Sequence, residues 1–102
     1  MNSVETFLAM LKAESEAIVK KFVTMYNSTL QSNASETGQS FLNAHLEEFD
    51  RQMLAVNTNT LAKSITEGFG TQDHNTGFQL ILGAQNINDD CREQFIRQLS
   101  PQ

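Results

Sequence analysis

Proline is absent from the first 100 residues, and residues 3–31 contain no glycine either. Every backbone N–H in that stretch is therefore available to a helical ladder, and no ring clash interrupts it. Within it Val4, Leu8, Leu11, Ser15, Ile18, Phe22, Met25 and Thr29 recur in alternating steps of four and three. Phe7, Val19, Val23, Tyr26 and Leu30 widen the stripe. This spacing predicts one long amphipathic helix, capped by Ser3, or by Asn2 with Glu5 three residues on.

Residues 32–39 are small and polar and end at Gly38, which predicts a turn. A second long helix is expected over residues 40–67. Its seam is Leu42, Leu46, Phe49, Met53, Val56 and Thr60, with Leu54, Leu61 and Ile65 beside or beyond it. Residues 57–60, Asn-Thr-Asn-Thr, are poor helix formers and mark its weak point. A loop over 68–76 follows, where two glycines meet three loop-favouring residues.

The last segment is ambiguous. Residues 77–83 form a short apolar run between glycines and suit a strand. A helix joining Phe78, Ile81, Leu82, Gln85, Asn88, Cys91, Phe95 and Leu99 is preferred, because a lone strand has no partner elsewhere in the chain. Asp90 with Glu93 resembles a capping box, so residues 77–99 form one helix, or two joined near 83–88. The expected fold is all-α, a single domain over residues 1–102. It is an antiparallel bundle of three helices, or four if the last segment breaks, led by two long N-terminal helices.

With 7 Lys and Arg against 12 Asp and Glu, the net charge is −5. An acidic chain without a basic cluster lacks the footprint of direct nucleic-acid binding or of adhesion to anionic membranes. No apolar run is long enough to span a bilayer. The N-terminal residues lack the basic and apolar regions of a secretory signal, so a cytoplasmic location is expected. A single Cys excludes a disulfide framework within the chain and a thiolate-cluster zinc site.

Chemistry-bearing patterns are sparse. His45 and Glu48 share a helix face but form half a metal site at most. Asp73-His74 in the loop has no nucleophile tied to it. Residues 68–71 lack the Lys-Ser/Thr of a phosphate-binding loop. Two Asn-x-Ser/Thr matches, at Asn27 and Asn33, are expected by chance in a chain this rich in those residues. Cys91 reads as a buried structural thiol. No catalytic residue, metal or cofactor is expected.

The apolar stripes are wider than the two-position seam of a simple coiled coil, so each long helix must contact at least two others. A third segment shorter and more polar than the first two would leave part of that surface uncovered. The expected function is therefore non-enzymatic: a helical protein–protein interaction protein that self-associates into a homo-oligomer or docks on a protein partner, as an adaptor, small chaperone, regulator or assembly subunit. Phe69 and Phe78, flanking the loop, either close the bundle end or anchor the partner. The alternative uses Glu47, Glu48 and Asp50 as an acidic strip that occupies a basic nucleic-acid-binding surface of another protein.

Overall fold

The computed structural model of the chain describes residues 4–66 and 74–99. They form three helices: α1 (Val4–Ser32), α2 (Gly38–Thr66) and α3 (His74–Leu99), each packed on the other two. The bundle is a rod of 54 × 20 × 20 Å. Its length follows from helices of 29, 29 and 26 residues rising 1.5 Å per residue.

The α1–α2 turn is built from side-chain hydrogen bonds. Asn33 Oδ1 accepts from the Ser35 N–H at 3.1 Å and from the Ser35 hydroxyl at 2.6 Å, an Asx turn. Thr37 then caps α2. The Ser40 N–H donates to Thr37 Oγ1 at 3.1 Å, and the Thr37 N–H donates to Ser40 Oγ at 3.1 Å. This is a reciprocal capping box with Ser in the place usually held by Glu. Gly38 thus opens α2 rather than closing the loop. It is buried where α2 meets the end of α3, and a Cβ there would overlap the Leu99 carbonyl oxygen.

The interior keeps the expected four-three seam in α2, where Leu42, Phe49, Met53 and Thr60 are buried and Leu46 and Val56 pack partly buried against the core, and an eleven-residue spacing recurs in all three helices. In α1 the buried positions are Phe7, Leu11, Ser15, Ile18, Val19 and Phe22, whereas Met25 is exposed. In α2 the spacing relates Gly38, Phe49 and Thr60, and again Leu42, Met53 and Ser64. In α3 it relates Leu80 to Cys91 and Ala84 to Phe95. Eleven residues in three turns is close to the natural helical period, while a seven-residue repeat drifts by about 20° each time on a straight helix. That drift displaces the expected inner face of α3 in its first half. Leu80 and Ala84 point inward, and Phe78, Ile81, Leu82 and Gln85 point out.

Other expectations also change. Residues 74–76 belong to α3, and the rest of the expected loop, with Phe69, lies outside the described residues, as do the expected caps at Asn2 and Ser3. Residues 77–83 are helical and α3 runs unbroken through Gly83 and Asp90, so Asp90 caps nothing. Residues 57–60 stay helical, because Thr60 is packed into the interior and tertiary contacts outweigh propensity. With α3 nearly as long as its neighbours, a shortfall in length is not what leaves apolar surface uncovered.

The two halves of the rod differ inside. Toward the α1–α2 turn the core is aromatic. Phe22, Phe49 and Phe95 meet, with centroids 5.4 Å (Phe22–Phe49), 5.8 Å (Phe22–Phe95) and 4.3 Å (Phe49–Phe95) apart. Tyr26 and Phe41 adjoin them at 5.3 Å from each other. In the opposite half the buried side chains are Phe7, Leu11 and Leu80 and the smaller Ser15, Thr60, Ser64 and Ala84. Gly83 sits against Leu8 there, a Cβ falling 2.6 Å from Leu8 Cδ1.

Candidate interaction surface

The α2–α3 seam begins at an ion pair. Arg92 Nε donates to Asp50 Oδ1 at 2.9 Å, and a second guanidinium nitrogen donates to Oδ2 at 3.4 Å. Both side chains are about 40% exposed. From Asp50, the same side of α2 continues through Leu54, Asn57, Leu61 and Ile65 in steps of four, three, four and four. From Arg92, the same side of α3 runs back through Asn88, Gln85, Ile81 and Phe78. The helices are antiparallel and in register at Phe49–Phe95. Carried along the rod, that register brings Leu61 level with Ile81 and Leu82, and Ile65 level with Phe78.

This lower seam is apolar and open. Phe78 is 63% exposed, Leu54 and Ile65 62% each, Ile81 49% and Leu82 46%. Beside them the polarity is inverted. In the last two turns of α2 the buried side chains are Thr60 and Ser64, while their chain neighbours Leu61 and Ile65 are half-buried and exposed. The Ser64 hydroxyl is satisfied locally, donating to the Leu61 carbonyl at 2.6 Å. A rotation of α2 by one residue would bury Leu61 and Ile65. The aromatic half forbids it, because Phe49 and Met53 would rotate out of the core on the same rigid helix.

The seam is also free of charge. No Asp, Glu, Lys or Arg occurs from residue 74 to residue 88, and Lys63 is the only one from residue 52 to residue 66. Lys63 stands two positions from both Leu61 and Ile65, so it projects from a different side of α2. On the same stripe Asn57 Oδ1 is buried without a hydrogen-bond partner, a costly arrangement for a polar atom.

Of the residues singled out from sequence, Phe78 lies on this seam and Phe69 falls outside the described residues. Glu47, Glu48 and Asp50 point three ways. Glu47 is exposed, and Asp50 is held by Arg92. Glu48 faces α1, where it accepts from Arg51 Nε at 2.7 Å and from Gln52 Nε2 at 3.2 Å. Gln52 accepts in turn from Lys21 Nζ at 2.7 Å. The hydrogen bond from Arg51, then that from Gln52, holds the Glu48 carboxyl below its usual range. His45 lies against Phe41, ring centroids 4.2 Å apart and planes tilted by 36°. Cys91 is buried in the core, and burial, followed by Glu16 and Asp90, raises its thiol pKa. The side chains of Asp73 and His74 lie outside the described residues. Among the described residues, no three His, Cys, Asp or Glu side chains converge as metal ligands, and no helix is long and apolar enough to cross a membrane.

Leu54, Leu61, Ile65, Ile81 and Leu82 were not expected as a surface, since periodicity assigned them to the interior or its margin. The available signal was the absence of charge over 52–66 and 74–88. The fold and seam define a three-helix bundle with an uncovered apolar face. The chain matches no protein-family model, no curated protein and no solved structure.

Proposed function

We propose that the protein is a non-enzymatic helical interaction protein that works through the lower α2–α3 seam, by self-association or by docking helices of a partner. Adaptor, small chaperone, regulator and assembly subunit are the roles this chemistry suits, in the cytoplasm. The observation that supports the reading is the inversion on α2: Thr60 and Ser64 are buried while Leu61 is half-buried and Ile65, like Phe78 and Leu82 on α3, is exposed. A bundle built only to be a stable monomer gains nothing from that exchange, since apolar burial is worth about 25 cal/mol per Å². A coiled-coil-like contact along the seam recovers it.

The test places a benzophenone amino acid at Leu82 and, as a control, at exposed Asn27 on α1. Irradiation in cells producing the protein should yield discrete protein adducts from position 82 and none from position 27. No adduct from position 82, with the variant folded, removes the reading.

A further inference from the structure

We infer that the occupant of the lower α2–α3 seam is a second copy of this chain, packed seam to seam about a two-fold axis. The inference rests on the seam being an interaction surface, as proposed above, and adds the identity of what covers it. Two independent observations carry it, one of area and one of charge.

Area comes first. Leu54, Ile65, Phe78, Ile81 and Leu82, each 46–63% exposed, leave apolar surface on the order of 500 Å² along this side of the rod. That is at the upper end of the largest patch on a typical monomer, about 300–600 Å², and patches of this size are often functional. With polar neighbours such as Thr58 and Gln85, the patch approaches the roughly 800 Å² each partner contributes to a standard interface.

Charge selects the partner. Each copy carries −5, so most faces that two copies could bring together set carboxylates against one another. The lower seam has none. A symmetric contact there opposes leucine, isoleucine and phenylalanine to the same residues and buries no ion, and a two-fold contact requires such self-complementarity. A partner bearing charge would have to leave it desolvated and unpaired against this face.

Sedimentation equilibrium of the purified chain across the micromolar range tests the proposal. The expected mass is twice 11.4 kDa. Combining Phe78→Gln with Leu82→Gln should raise the dissociation constant about hundredfold, with helicity and urea midpoint of the monomer unchanged because both positions are exposed. Glu47→Lys should leave association intact. Added salt should tighten the dimer slightly, since it screens the repulsion of like-charged copies. A dimer that ignores the double substitution, or that salt dissociates, overturns the seam as its interface. A strict monomer whose position-82 adduct is a different protein overturns the second copy and leaves the interaction reading standing. A strict monomer with no adduct removes both.

Discussion

Asp50 and Arg92 are 42 positions apart in the chain and share two hydrogen bonds across the α2–α3 seam. They mark the point where that seam changes character. On one side lies the aromatic core of Phe22, Phe49 and Phe95; on the other the seam opens into Leu54, Leu61, Ile65, Ile81 and Phe78. The pair itself is half in solvent, so its contribution to stability is small. A double-mutant cycle with Asp50→Ala and Arg92→Ala should give a coupling energy of about 0.2–1 kcal/mol, falling toward zero at molar salt. A coupling several times larger, measured by urea denaturation, would mean the pair is desolvated.

Stability is expected to reside in the aromatic half. Phe95→Ala removes a fully buried ring that contacts two others and should cost about 3–5 kcal/mol. Leu54→Ala removes an exposed side chain and should change stability by no more than about 0.5 kcal/mol. Chemical denaturation followed by circular dichroism, on protein dilute enough to be monomeric, compares the two. Equal costs would contradict the division of the rod into a packed and an open half.

Two glycines should respond differently to alanine. At Gly38 the added methyl meets the Leu99 carbonyl, a backbone atom on another helix, so α2 and α3 must separate. Overpacking of this kind costs about 1–3 kcal/mol. At Gly83 the methyl meets the far end of the Leu8 side chain, which can turn away. There the helix gains about 1 kcal/mol of propensity. Gly83→Ala should therefore be near neutral, and Gly38→Ala clearly destabilising. The reverse order of melting temperatures would show the α2–α3 contact at Leu99 to be looser than described.

Cys91 should be unreactive at neutral pH and a source of alkaline sensitivity. Burial, then Glu16 and Asp90, raises its pKa above 9.0. The folded state then keeps a proton that the unfolded state loses, so stability falls as pH rises above the unfolded value. Below pH 9 the contribution is fully present. Cys91→Ser should flatten the decline of the urea midpoint between pH 9 and the folded pKa. Thiol labelling at pH 7 should be far slower in native buffer than in denaturant. Rapid labelling of the native protein would place the thiol at the surface.

Much of this architecture was legible from residue spacing. The lack of proline, the long apolar stripes and the polar break before Gly38 are local properties, and local backbone chemistry is enough to make helices of them. The four-three reading held along α2 from Leu42 to Thr60 and failed in the first half of α3, where a small error in period accumulates along a straight helix. By Phe78, three heptads before Leu99, the drift amounts to about 60°, and the expected inner positions Phe78, Ile81, Leu82 and Gln85 are exposed. Composition held a hint in the charge-free stretches at 52–66 and 74–88, but lack of charge looks the same for a buried face and for a sticky one.

From sequence alone came three helices, an acidic surface and a core rich in phenylalanine. Which way each helix is turned about its own axis came only from tertiary packing. Phe49 and Met53 hold α2 in one rotational setting, and Cys91 and Phe95 hold α3. A helix is rigid over its length, so residues docked in the aromatic half orient residues several turns away. That is why Thr60 and Ser64 lie inside while Ile65 and Phe78 face water. No local preference of those residues would choose it.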